Sequence, residues 1–512
     1  MTVAGKTLPA PLQGAELILA ALFLALANFV VVLDMTIVNV SVPHIAGGMA
    51  VSLSEGTYAI TSYAVAEAIT VPLTGWLASR FGAVRVFVVC IMLFGVCSAL
   101  CGLSSSLGML VVSRMLQGMA GGPLMPLSQT LLMQIFPKKK HGAALGLWSM
   151  TTLLAPIAGP MIGGYISDTM SWHYIFLINI PIALVCGVFT MRLLRAHETD
   201  TARTRIDFVG MILLVFWVGA FQLMLDEGKN HDWFESSYIC MLGIFAAIGF
   251  ASFLIWELTH ENPIIDLRVF RHRGFSVSVL TISLAFGAFF GSVVLLPLWL
   301  QTYMGYTATA AGSVSAAMGC FAVIIAPIAA KLSQKIDPRS MIFVGVIWLG
   351  TFTFIRSFGT TDMTAMQLRL PLFLQGMGLP LFFVPLTALA LGSVEPRETA
   401  SAAGLMSFLR TLSGAFATSI VTTSWENQTQ IIRSDMVGRI ASPQEVAVLM
   451  GDTSAAGQET ARYVLEQLVQ GQAVMLATNQ IFLVVSLTFV LAASVIWLAP
   501  RPQRTVDMAA GH

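Results

Sequence analysis

Fourteen long apolar runs, separated by short charged or turn-forming stretches, constrain this chain more than any other feature. They lie near 17–42, 57–78, 84–104, 107–134, 142–166, 173–194, 208–225, 238–256, 274–301, 309–331, 341–358, 367–393, 398–424 and 473–499. A helix needs about 20 apolar residues to cross a bilayer. Only helices and closed barrels satisfy their backbone in lipid, and runs of this length are not barrel strands. Composition agrees: 56% of residues are hydrophobic, 10% are charged and the mean hydropathy is +0.81. Soluble domains carry about 25% charged residues, so a soluble multidomain enzyme, a disordered chain and a nucleic-acid binder are excluded. The net charge of +1 gives no bulk electrostatic drive toward a partner. The six cysteines (Cys90, Cys97, Cys101, Cys186, Cys240, Cys320) all fall in apolar runs, which reads as core packing rather than a disulfide framework or metal site. The start is polar up to Glu16 and shows no cleavage site, so the first run reads as a retained span.

Basic residues orient the spans. With the N-terminus placed in the cytoplasm, 19 of the 27 Lys and Arg fall in inside loops. Six (Lys229, Arg356, Arg369, Arg433, Arg439, Arg462) fall outside, and Arg114 and Arg410 lie within spans. This asymmetry predicts an even number of helices with both termini cytoplasmic.

The chain also repeats itself. Leu116-Gln117-Gly118-Met119 recurs as Leu374-Gln375-Gly376-Met377, and at the same offset of 258 Ala144, Leu147 and Ser149 meet Ala402, Leu405 and Ser407. Leu77 and Arg80 resemble Leu332 and Lys335 at an offset of 255. The fold class that follows is an all-α membrane protein of two six-helix bundles plus two inserted helices, 14 transmembrane helices in all. Its expected units are a cytoplasmic N-terminus 1–16, a bundle 17–194, an inserted hairpin with linkers 195–273, a bundle 274–499 and a cytoplasmic tail 500–512. Parallel halves of this kind place a substrate path between them near mid-membrane. Chance similarity between apolar helices is the competing explanation.

Asp34, Glu67, Arg114 and Arg410 are the deep ionisable residues. A charge at the bilayer centre costs roughly 2.5–3.5 kcal/mol even on gentle scales, so such groups face protein or water. At 1.5 Å per residue, Asp34, Glu67 and Arg114 lie about 10–15 Å from the outer surface. Two carboxylates near one guanidinium can exchange a proton at tolerable net charge. A neutralised packing cluster is the alternative. For Arg410 the available partners are backbone carbonyls, the interface by snorkelling, substrate, or the other half.

Pro156, Gly159, Pro160, Gly163 and Gly164 crowd one span, as a hinge or a close-packing site. Phe286, Phe289, Phe290, Trp299, Phe382 and Phe383 are candidates for an apolar ligand surface, with lipid-facing or packing roles as the alternative. No phosphate loop, H-E-x-x-H or G-x-S-x-G occurs, and the eight histidines lack ligand spacing. The expectation is therefore no enzyme, no metal and no cofactor, with uphill transport drawing on a proton gradient. The hydrophilic segment 425–472 reads as an outer loop, partly helical over 457–470, that is either solvated or docks an extracytoplasmic partner.

These residues resemble the fourteen-helix drug:proton antiporters of the major facilitator superfamily, and among them the EmrB type of multidrug exporter. Leu33-Asp34-Met35-Thr36-Ile37-Val38-Asn39 through Pro43 resembles the group's first-helix motif. Arg114-Met115-Leu116-Gln117-Gly118 resembles its proton-transfer motif, and Gly159-Pro160 with Gly163-Gly164 its antiporter motif. Gly75-Trp76-Leu77-Ala78-Ser79-Arg80-Phe81-Gly82 resembles the loop signature after the second span, except that Ser79 and Ala83 replace its usual acid and base. Glu67 stands where the resemblance expects Asn. The resemblance implies proton coupling through Asp34, Glu67 and Arg114. It implies gating at Gly75, Arg80, Gly82, Pro156, Gly159, Pro160, Gly163 and Gly164. Candidates for the substrate cavity are Asn39, Gln117, Phe286, Phe289, Phe290, Phe382 and Arg410. It further implies export of amphipathic compounds from a bacterial inner membrane, with a periplasmic adaptor of the EmrA type and an outer-membrane channel. The alternatives are a dedicated exporter of one metabolite, lipid or siderophore, and a membrane-embedded enzyme or scaffold.

Overall fold

A computed structural model describes residues 12–137, 140–201, 207–228, 231–261, 263–333, 335–395, 398–437 and 454–501. The two terminal segments, the middle of the outer segment and the basic residues Lys6, Lys138, Lys139, Arg203, Arg205, Lys229, Arg397, Arg439 and Arg504 lie outside them. The described residues form fourteen helical passes. They are α1 (Gly14–Met49), α2 (Tyr58–Thr70, resumed at Thr74–Phe81), α3 (Ala83–Gly102), α4 (Leu107–Gly121, resumed at Leu124–Ile135), α5 (His141–Thr169), α6 (Asn179–Leu194) and α7 (Phe208–Glu227). After them come α8 (Ser237–Thr259), α9 (Arg273–Thr302), α10 (Ala308–Leu332), α11 (Pro338–Arg356), α12 (Ala365–Gln375, resumed at Gly378–Gly392), α13 (Thr399–Val437) and α14 (Ala455–Val495). Twelve of these helical stretches are long and apolar enough to cross a membrane as they stand. The exceptions are α2 and α4, each divided near a proline (Pro72, Pro123) whose missing amide interrupts the helical ladder.

Polar side chains set several helix starts. Ser106 accepts from Met109 N at the head of α4, Asp207 from Gly210 N at α7, and Thr364 with Gln367 forms a capping box at α12. Asp337 heads α11 and pairs with Arg339 at 2.9 Å, which holds its carboxyl below the usual aspartate range. At the turn into α3 the chain needs glycine: Gly82 has φ +93°, and a Cβ there would strike the Glu198 carboxylate. Glu198 accepts from Val84 N at 2.9 Å and Arg85 N at 3.0 Å, so an acid from beyond α6 caps this helix.

Within the first half α1 packs on α5 and α6, and α3 on α4 and α6; in the second, α9 packs on α13 and α14, and α11 on α12 and α14. The α7–α8 hairpin lies at the flank: α7 packs on α2 and α13, while α8 is only 22% buried over its most apolar stretch. Trp217 meets Phe408 edge-on, and Trp233 Nε1 donates to Thr423 Oγ1 at 3.1 Å.

Two expectations change. The helix expected over 457–470 is present as the start of α14 at Ala455, but α13 also runs on to Val437, so most of the segment 425–472 is helix rather than loop. Polar composition marks where a helix leaves lipid, not where it ends, and Arg433–Glu466 at 2.9 Å joins the two extensions. Arg356, counted with the outer-loop charges, instead folds into the second half with its guanidinium 4.1 Å above the Phe482 ring.

Candidate functional site

The first half encloses one dense polar network. Asp34 of α1 is fully buried, and Arg114 of α4 is 1% exposed. Arg114 Nη1 donates to Asp34 Oδ2 at 2.5 Å and to Gln117 Oε1 at 2.8 Å, and Nε donates to the Ala59 carbonyl at 2.8 Å. Asp34 Oδ1 accepts from Gln117 Nε2 at 3.0 Å and from Asn179 Nδ2 at 2.7 Å. Both amides also donate to Ser98 Oγ, at 2.9 and 3.0 Å. The guanidinium lies 4.2 Å over Tyr63 and 5.6 Å over Phe176. A buried ion pair repays its desolvation only when its remaining donors and acceptors are satisfied; here α1, α3, α4 and α6 each supply a partner.

The structure thus brings Asp34 and Arg114 into direct contact and adds Ser98, Asn179, Tyr63 and Phe176. Gln117, expected on the substrate cavity, is buried in this network instead. Glu67 is buried too, but it makes no ion pair within 4 Å among the described residues, and its Oε2 has no hydrogen-bond partner there. Arg410, across the interface between halves, is the charge acting most strongly on it, ahead of Arg114 and Asp34.

Arg410 of α13 is 2% exposed, and it reaches the first half. Its Nη2 meets Met125 Sδ, and its guanidinium lies 5.1–5.7 Å from the rings of Trp148, Phe286 and Phe383. Trp148 stacks on Phe383 across the seam at 6.0 Å. Phe286, Phe289 and Phe290 cluster beside it, with Phe286–Phe290 at 4.6 Å. Phe383, rather than its neighbour Phe382, lies against the cation. Asn39 is exposed on the C-terminal half of α1. Trp148 lies in the string Leu147-Trp148-Ser149-Met150, which resembles the family, but neither it nor Met125 is marked by the sequence as a partner of Arg410.

The proline-glycine cluster is a packing surface. α5 runs unbroken through Pro156 and Pro160. A side chain at Gly159 would meet Thr36, and one at Gly163 would meet Ile37, both on α1. Gly164 and Pro160 instead face α10, near Thr309 and Gly312. The halves close at the end bearing Arg80, Arg85, Lys331 and Arg339. There the second part of α2 and the second part of α4 pack on α13, and the second part of α12 packs on α5. Gly75 abuts Ser401, and Gly404 abuts Val71 and Thr74. Arg80 lies 5.8 Å over Trp76 and 5.7 Å over Phe81. Toward the other end α2 and α13 touch only slightly, and α7 packs on both. Among the described residues no group of three or more His, Cys, Asp or Glu could hold a metal.

Known proteins agree with this architecture. The family model "Major Facilitator Superfamily" matches residues 24–418. "Multidrug export protein EmrB" of Escherichia coli (strain K12) is 41% identical over 497 residues, 96% of this chain and 97% of its own. "Fatty acid resistance protein FarB" of Neisseria gonorrhoeae is 40% identical, covering 96% of this chain and 98% of its own. Among solved structures, the human organic anion transporter MFSD10 (TETRAN) superposes with a TM-score of 0.56 at 14% identity, over 93% of this chain and all of that one, which supports the fold alone. With two related helical halves, a polytopic apolar body and relatives matched end to end, the chain is a multi-pass membrane transporter, not an enzyme, and belongs to the major facilitator superfamily and, within it, to the EmrB type.

Proposed function

We propose that this protein is a proton-coupled antiporter that exports amphipathic drugs or toxic compounds across a bacterial inner membrane. The observation that carries the reading is the buried Asp34–Arg114 pair, a titratable carboxylate held deep in one half with every oxygen occupied. The name of the 41%-identical EmrB relative supports drug export. The positive-inside rule supports placing the basic end, and both termini, in the cytoplasm. On that orientation the described conformation is closed to the cytoplasm. A proton arriving from the outer side neutralises Asp34, frees Arg114 from its ion pair, and leaves Gln117 and Asn179 to rearrange their donors. Glu67 and Arg410 face each other's fields across the seam, so a proton on Glu67 loosens that end. The helical extensions of α13 and α14 would meet a periplasmic adaptor of the EmrA type, which in turn would reach an outer-membrane channel. FarB's name supports a lipid-directed version of the same activity, a dedicated exporter of fatty-acid-like compounds.

The test is transport in proteoliposomes under an imposed pH gradient, with an amphipathic dye and a fatty acid offered separately. Asp34→Asn should abolish proton-driven flux of either while eluting as a folded monodisperse protein. Full flux by that variant overturns the coupling role, and transport of the fatty acid alone selects the dedicated exporter.

A further inference from the structure

The second half holds a copy of the Asp34 network from which the carboxylate is missing. The 258-residue offset carries Asp34 onto Ser292 and Gln117 onto Gln375, and the 255-residue offset carries Ser98 onto Thr353. The amide–hydroxyl contact is reproduced: Gln375 Nε2 donates to Thr353 Oγ1 at 2.9 Å, as Gln117 Nε2 does to Ser98 Oγ. A guanidinium is reproduced too, though from a different position. Arg356, in the last turn of α11, donates from Nη1 to Ser292 Oγ at 3.3 Å and to Gln375 Oε1 at 3.4 Å. Both bonds are long beside the 2.5 and 2.8 Å contacts of Arg114. Arg356 Nη2 is buried without a hydrogen-bond partner, and Arg356 makes no ion pair within 4 Å among the described residues. What compensates it is the face of Phe482, 4.1 Å away, and the partial charge of the last helix carbonyls.

Arg356 lines a cavity of about 50 Å³ together with Leu296, Trp299, Met363, Leu368 and Phe482. That volume holds roughly three or four water-sized groups, enough for a carboxylate head and its first carbons. The wall is apolar apart from Arg356 and Gln367, and two of its lining residues are exposed, Gln367 and Ile355, the latter 44% exposed. An apolar tail can therefore leave the cavity onto the lipid-facing flank. We propose that this cavity binds the anionic head of an amphiphile, with Arg356 Nη2 as the charged donor, Ser292 as its neutral neighbour and the tail lying past Ile355. The external anion takes the place that Asp34 fills internally in the first half. The site stands apart from the Asp34 network, and its occupancy does not depend on the export reading, since binding is measured without a gradient.

The experiment uses the full chain in phosphatidylcholine nanodiscs and reads quenching of Trp299 by dibrominated stearate, with Trp299→Phe defining the site-specific signal. Stearate should quench Trp299, and its uncharged methyl ester should bind at least tenfold more weakly. Arg356→Gln should weaken stearate at least tenfold, and Arg356→Lys should retain most of the affinity. Ser292→Asp restores the carboxylate of the first half, so it should eliminate stearate binding while leaving the fold at least as stable, which separates ligand loss from misfolding. A parallel arm with brominated phosphatidylglycerol identifies the source of the head group. Arg356-dependent quenching by stearate alone assigns a free amphipathic acid, and by phosphatidylglycerol alone a lipid. Equal binding of stearate and its methyl ester, indifference to both Arg356→Gln and Ser292→Asp, or failure of both ligands to quench Trp299 overturns the proposal.

Discussion

At the scale of single residues, the two buried cations of the first-half site and the seam are compensated in different ways. Arg114 has a carboxylate in contact and further acceptors around it. Arg410 has Met125 sulfur, three aromatic faces and the field of Glu67, with Nε and Nη1 lacking hydrogen-bond partners. Cation–π contacts contribute about 2 kcal/mol when desolvated, less than a buried guanidinium loses in hydration. Glu67 is the acid whose field reaches Arg410, and this makes a prediction. In thermal unfolding of the purified protein, Glu67→Gln and Arg410→Gln should each destabilise. The double variant should be less destabilised than their sum by about 0.5–3 kcal/mol, the range for coupled neighbours. Additive losses would show that the two charges do not support one another. The difference between Arg356 and Arg114 also shows what depth counting misses. A charge at the end of an apolar run is read as the boundary of a span, and nothing in one dimension separates an arginine that leaves the membrane from one that turns back into the protein. Asn179 was illegible for a related reason: a neutral amide at the start of a run reads as a helix end, although its Nδ2 makes the 2.7 Å bond to Asp34.

At the scale of elements, backbone approach sets where the site residues lie. α2 and α4 cross so closely that a Cβ at Gly118 would press on the Tyr63 carbonyl, the Ala66 Cβ at 3.1 Å and the Glu67 amide at 3.2 Å. These are mostly backbone atoms, which cannot swing aside. Gly108, on the same helix, has nothing within 4 Å of such a Cβ. Gly118→Ala should therefore cost about 1–3 kcal/mol, as overpacking does, and should displace the stretch of α2 that carries Glu67. Gly108→Ala should be neutral or stabilising by up to about 1 kcal/mol, because it only restricts the unfolded chain. Melting temperatures of the two variants in one detergent check the contrast, and equal losses would show that the close crossing is not what the helix pair depends on. The apolar runs themselves were legible because membrane insertion is a local matter of about twenty residues. The interruptions within α2 and α4 were not, since Val71, Leu73 and Leu124 continue the apolar composition across them. The helix leading into α14 was legible from the Gln-, Glu- and Ala-rich stretch 457–470, whereas the extension of α13 beyond residue 424 was hidden by the opposite effect, polar residues that nonetheless hold helix.

At the scale of the whole molecule, the two halves, the 258-residue repeat and the flanking hairpin form a body whose halves touch along α5 and α10 and, at the end bearing Arg80 and Lys331, also through α2, α4, α12 and α13. Sequence similarity between the halves made the duplication visible. It could not show that α13 meets α2 mainly through the second part of α2, because that depends on the relative tilt of two rigid bundles. Transport by such a body requires the contact end to part while the other end closes. The contacts at Thr74 and Gly404 offer a direct way to stop that motion. A Cβ at Gly404 would lie 3.4 Å from the Thr74 Cβ, close to the ~3.5–4.5 Å that a disulfide spans. In a background lacking the six native cysteines, T74C/G404C should therefore cross-link under mild oxidation with little backbone adjustment. The cross-link joins α2 to α13 at the closed end and leaves the Asp34 network untouched. Oxidised protein should lose gradient-driven efflux, and reduction should restore transport to the level of the single-cysteine controls. If the fully cross-linked protein transports as fast as the reduced one, the α2–α13 seam is a fixed joint, and the moving contact must be sought instead along α5 and α10.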